Sequence, residues 1–167
     1  MRQISGIKGI MVSLLAIGVM SLGSAQDTTK ITANSKATFI QTLVDSQNFV
    51  FVPQLLSTMR GTTRQLTSYY DISVSRDTII SYLPYFGRAH MSPADPANVG
   101  FDFTSTNFEY SKNANKKGGW DILIKPKDNT TAQQLMFRIF DNGSASLSIT
   151  SSDRDAISYQ GYIKERT

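Results

Sequence analysis

The chain has 167 residues, 40% of them apolar, with 17 basic and 13 acidic side chains, one histidine and no cysteine. This length suits one domain with a real core, and the missing cysteine excludes structural disulfides, thiol chemistry and a cysteine-linked lipid anchor. A zinc site would have only His90 and carboxylates to draw on, so neither a metal nor another cofactor is expected.

Arg2 and Lys8 precede an uncharged run over residues 9–22 that carries Ile10, Met11, Val12, Leu14, Leu15, Ile17, Val19 and Met20. Gly23-Ser24-Ala25 then sets small residues at the positions a signal peptidase reads, and Gln26 opens a polar stretch. The apolar run is too short to span a hydrocarbon core of about 30 Å at ~1.5 Å per residue. This order predicts a secretion signal over residues 1–25, cleaved after Ala25, and a mature chain in the periplasm or outside the cell without a stable membrane anchor. Removing Arg2 and Lys8 leaves 15 basic against 13 acidic side chains. Such a balance argues against a nucleic-acid partner, which requires a dense basic face.

Residues 26–33 read as a flexible polar lead and residues 34–167 as a single β-rich domain. In residues 34–47, Ala37, Phe39, Ile40, Leu43 and Val44 recur at helical spacing, and Asn34 or Ser35 is placed to cap the helix start. From Phe49 the period becomes two. Residues 49–52 form a short strand ended by Pro53, and residues 55–67 read as strand ends around a loop. Tyr70, Ile72 and Val74 alternate with polar residues, and Arg76-Asp77 reverses the chain into residues 78–83. Further strands are expected at 99–105, 107–111, 120–125, 133–141, 144–151 and 156–164. Asn142-Gly143 predicts a hairpin with a type I′ turn, since both residues tolerate positive φ. The short connections predict an antiparallel meander: a strongly curved sheet or an up-and-down barrel, with the N-terminal helix packed on it or plugging one end.

The string Ser81-Tyr82-Leu83-Pro84-Tyr85-Phe86-Gly87-Arg88-Ala89 comes with a set of companions. These are Tyr70, Ile72 and Val74 before it and Gly119-Trp120, Ile122 and Ile124 after it. Asn142-Gly143 with Ala145-Ser146-Leu147 follows, and Ile157-Ser158-Tyr159, Gly161 and Ile163 complete it. Together they resemble the domain-of-unknown-function family 4251, exported proteins of Gram-negative envelopes, over about residues 49–163. The resemblance implies fold and compartment and assigns no catalytic residue. This chain lacks the lipid-attachment cysteine of some exported relatives.

The proline–glycine corner groups the candidate ligand-binding residues Tyr82, Tyr85, Phe86, Arg88 and His90, which combine π faces with cationic donors suited to a sugar ring or planar anion. The alternative is a packed corner, with Tyr85 and Phe86 in the core and Arg88 bonded to carbonyls or a carboxylate. No catalytic set converges. Gly143-Ser144-Ala145-Ser146-Leu147 departs from a nucleophile elbow at its last glycine, and His90 lacks an evident nucleophile. The pairs Asp153/Asp155 and Asp102/Glu109 are candidate acid–base carboxylates if they face one cleft. The basic stretch 112–119 reads as a solvated loop tip. The function favoured is a non-enzymatic binding or interaction module for a small molecule, a glycan or an envelope protein. A glycan-acting hydrolase and a structural subunit pairing through a sheet edge are the alternatives.

Overall fold

The computed structural model describes residues 25–91, 100–116, 118–129 and 131–166, and of residues 25–33 the backbone alone. The expected secretion signal lies, but for Ala25, outside the described residues. Helix α1 spans Ala25–Ser46, so the stretch read as a flexible lead is helical. No glycine or proline interrupts these residues, and a helix anchored at its far end propagates through such a stretch. Asn34 and Ser35 are therefore interior; the Asn34 carbonyl accepts from Thr38 Oγ1 at 2.9 Å. Ile40, Leu43 and Val44 are buried, whereas Phe39 is 46% exposed and leaves the apolar stripe. The helix ends with Gln47 at φ 53°. Gln47 N–H donates to the Val44 carbonyl at 3.2 Å and Asn48 N–H to that of Leu43 at 3.1 Å, a Schellman closure usually built on glycine.

The strands that follow are β1 (Phe49–Thr58), β2 (Thr63–Gln65), β3 (Asp71–Val74), β4 (Ile79–Leu83) and β5 (Phe101–Ser105). After these come β6 (Phe108–Ala114), β7 (Trp120–Pro126), β8 (Ala132–Ile139), β9 (Ser144–Ser151) and β10 (Ile157–Lys164). All pair antiparallel in one sheet of order β5-β4-β3-β1-β10-β9-β8-β7-β6, with β2 beside β1. The predicted meander is what forms, and its two ends are consecutive in the chain. β5 passes into β6 through Thr106-Asn107, where the Asp128 carboxylate accepts from Thr106 N–H (2.8 Å), Asn107 N–H (3.0 Å) and Ser105 Oγ (2.5 Å). This clamp fixes the bend at which the two edge strands join end to end, and the sheet curls into a nearly closed barrel.

Pro53 does not end β1. It sits at a bulge between Pro53 and Leu55, where β1 exchanges its neighbour β3 for β2. A bulge tolerates a residue without an N–H. Opposite it lies Gly161, whose missing Cβ would overlap the Val52 carbonyl oxygen. The hairpin at Asn142-Gly143 forms as expected, but as a type I turn with a glycine bulge instead of type I′. Gly143 alone has positive φ (81°), and its N–H donates to the Phe140 carbonyl at 2.8 Å. Asn142 stays right-handed, with its Oδ1 accepting from Ser144 N–H at 2.9 Å.

Alternation fills the barrel. Ala145, Leu147 and Ile149 point inward from β9, and Phe137 packs edge-on against Phe49 and Phe51, each at 5.8 Å. The helix plugs one end. Ile40 faces Gly143 in the β8–β9 turn, Asp45 pairs with Lys112 on β6, and Arg76 Nε donates to the Ser46 carbonyl at 3.1 Å. The opposite end is left to the loops after β1, β4 and β9.

Candidate functional site

Leaving β4, the chain crosses the mouth opposite α1. The buried Tyr159 hydroxyl donates to the Pro84 carbonyl at 2.7 Å, which fixes the proline corner. Tyr85 turns inward, its ring edge-on to Phe101 at 5.7 Å and its hydroxyl shared between the carbonyls of Arg88 (2.8 Å) and Asp155 (3.1 Å). Arg154, 6% exposed, lies over both rings at 5.0 and 5.2 Å. Asp153 accepts from Arg154 through both oxygens, each at 3.0 Å, and the Gly100 carbonyl accepts from the same guanidinium at 3.2 Å. Backbone bonds from His90 to Asp153 and from Asp155 to Arg88 complete the seal at 2.7 and 3.0 Å.

This seal is electrostatically inert near neutrality. Burial pushes the Tyr85 and Tyr159 phenols upward, so they remain donors. The hydrogen bonds from Arg154 hold Asp153 below the usual carboxylate range.

Above the seal lies a groove of about 270 Å³. Thr58, Met59, Arg60, Thr62 and Arg64 of the β1–β2 hairpin form one wall, and Phe86, Gly87, Arg88 and Asp155 form the other. The Arg64 guanidinium stacks 4.6 Å above the centroid of Phe86, which is 47% exposed. His90 Nε2 lies 2.7 Å from Asp155 Oδ1 and occupies that carboxylate. Among the described residues, no carboxylate pairs with Arg60, Arg64 or Arg88.

The five residues singled out from sequence thus separate. Phe86 and Arg88 line the groove, and His90 adjoins it through Asp155. Tyr85 lies beneath, as part of the packed corner. Tyr82 points out from β4 beside Tyr70, ring centroids 5.5 Å apart, because strand alternation sends its neighbours Ser81 and Leu83 inward. The hairpin side, Arg60 and Arg64 above all, was missing from the sequence-based set. Two basic residues flanking Gly61-Thr62-Thr63 were the available signal.

The other candidates do not assemble. Asp153 is held by Arg154 and Asp155 by His90, so they do not face one another across a cleft. Glu109 pairs with Lys127 at 2.9 Å, and Asp102 lies opposite Tyr82 on β5. Lys112 to Ala114 belong to β6, which shortens the basic loop tip; Lys117 lies outside the described residues. Among the described residues, no cluster of three or more metal-ligating side chains occurs. None of the described helices is long and apolar enough to cross a membrane.

The family model of the Domain of unknown function (DUF4251) matches residues 32–163, every strand but the last residue of β10 and most of α1. A crystal structure of a DUF4251 family protein from Bacteroides eggerthii superposes with a TM-score of 0.56. That match has 13% identity and covers 80% of this chain and 88% of the other, a likeness of fold. No curated protein matches the chain. With nearly the whole barrel and its plugging helix inside the matched region, the chain belongs to the DUF4251 family.

Proposed function

We propose that this is an exported envelope protein that binds a ligand, without transforming it, in the groove opposite α1. One observation carries the reading. A half-exposed aromatic ring and three arginines stand together over a mouth that is otherwise sealed by buried hydrogen bonds. Rigid scaffolds that present cationic and π groups on loops are suited to recognition. The groove is small. A volume of about 270 Å³ suits a small molecule or a terminal sugar better than a protein interface, which buries about 800 Å² per partner. The charged start, apolar run and small-residue exit support export, and the near-balanced charge does not favour a nucleic-acid partner.

The test is mass spectrometry of small molecules retained by the protein purified from the envelope of cells that make it. A retained molecule that is lost in Phe86→Ala supports the reading; an empty protein, or retention indifferent to Phe86→Ala, contradicts it. Intact mass on the same sample should place the N-terminus at Gln26, and a chain retaining residues 1–25 contradicts cleavage.

The His90–Asp155 hydrogen bond favours one second reading, a hydrolase in which Asp155 orients an imidazole base. It predicts turnover of glycan fragments that His90→Gln abolishes. Retention of an unaltered ligand by both proteins speaks for binding alone.

A further inference from the structure

The groove's charge identifies a ligand class, on the premise that the groove binds at all. Arg60, Arg64 and Arg88 bring three positive charges, and Asp155 returns one negative charge that His90 already engages. Counted against the Asp155 carboxylate, the three arginines leave an excess of two, equal to the excess of Lys and Arg over Asp and Glu from Gln26 onward. Elsewhere among the described residues some cations are matched. Arg138 meets Asp121 at 2.8 Å, Lys127 meets Glu109 at 2.9 Å, and Arg154 meets Asp153 at 3.0 Å. Arg76, Lys125 and Lys164 have no carboxylate partner; what sets Arg60, Arg64 and Arg88 apart is that they line one groove together. Like charges gathered without a counterion repel, and an anion entering the groove relieves that repulsion.

We infer that the groove recognises a phosphate or sulfate ester, its oxyanion among Arg60, Arg64 and Arg88 and its body against Phe86. A simple carboxylate is satisfied by one guanidinium fork, as Asp153 is by Arg154. Three guanidiniums match a tetrahedral group with three terminal oxygens. Arg64 is held in place by its stack on Phe86, which lowers the entropy lost on binding. Arg88 stands on backbone anchored by the Tyr85 hydroxyl and the Asp155 amide, so its fork projects from a fixed point. The space left accepts an ester head with a body the size of one sugar ring.

Isothermal titration calorimetry of the purified protein with glucose 6-phosphate, glucose 6-sulfate and glucose, at low ionic strength, tests this. Binding of one or both esters without binding of glucose is the expected result, and comparing the two esters shows which oxyanion is preferred. Arg64→Gln/Arg88→Gln should weaken ester binding by about tenfold or more with an unchanged thermal midpoint. Lys164→Gln, at the α1 end, should bind like the parent protein. Added salt should weaken the ester complex. The inference is overturned if glucose binds as tightly as the esters, if neither ester binds, or if the double variant keeps its affinity. Should the esters fail while purified protein still retains a neutral molecule through Phe86, the binding reading survives and the oxyanion assignment falls.

Discussion

Replacing Arg154 by methionine should cost about 3 kcal/mol. Arg154 is 6% exposed, and its guanidinium donates to both Asp153 oxygens at 3.0 Å and to the Gly100 carbonyl at 3.2 Å. Removing one partner of a buried pair costs roughly 3–5 kcal/mol, because the other charge is left behind. The Asp153 side chain is 16% exposed and keeps a hydrogen bond from Ser151 Oγ, which places the loss at the lower end. Orphaning the Gly100 carbonyl adds about 1 kcal/mol, and a methionine sulfur over Tyr85 and Phe101 returns a similar amount. In a domain of this size about 3 kcal/mol lowers the thermal midpoint by roughly 10 °C. Urea unfolding followed by far-ultraviolet circular dichroism measures it. The pH dependence is fixed by the direction of the Asp153 shift. Its folded value is lowered, chiefly by the Arg154 hydrogen bonds, so the stabilisation is complete above the unfolded value of about 4 and is lost as pH falls through the folded one. In the variant, burial without Arg154 raises the Asp153 carboxyl, so the gap between parent and variant should be full at neutrality, begin to narrow as the orphaned carboxylate takes up a proton, and close in stronger acid as the parent's lowered carboxyl is protonated too. A loss below about 1 kcal/mol at neutral pH, or a gap unchanged in strong acid, refutes the reasoning.

Gly161→Ala should destabilise by about 2–3 kcal/mol in thermal melts, since its methyl overlaps the Val52 carbonyl and crowds the Pro53 Cα at 2.9 Å; a near-neutral result contradicts the bulge packing. Gln47→Gly should stabilise by about 0.5–1 kcal/mol in urea titrations, because Gln47 holds φ 53° at the helix end; any loss contradicts the left-handed cap.

The meander was legible because its strands are half-wet. Ala145, Leu147 and Ile149 alternate with Ser144, Ser146 and Ser148, and apart from residues 84–100 the strands are joined by short connections. Local rules failed where a distant strand decided the outcome. Proline at position 53 reads as a terminator until Gly161 is set across from it and β2 takes over the pairing. Asn142-Gly143 fits two hairpin geometries equally. The Gly143 N–H bond to the Phe140 carbonyl, and the bond that the Ser144 carbonyl accepts from Phe140 N–H, belong to the three-residue form. The groove was half legible. Phe86 and Arg88 belong to an unusual corner, whereas Arg60 and Arg64 sit in a polar hairpin that faces the corner because β2 takes over from β3 beside β1. Strand parity turns Tyr82 outward from β4 beside Tyr70, away from the residues that line the groove.

Arg88→Ala tests most directly whether this corner serves recognition or packing. The Arg88 side chain is exposed and unpaired among the described residues, while its carbonyl, which alanine preserves, holds Tyr85 and Asp155. The account predicts a stability change within about 0.5 kcal/mol, a midpoint within roughly 2 °C of the parent, and loss of the molecule retained from the envelope. A variant that melts several degrees lower and still retains that molecule would contradict it.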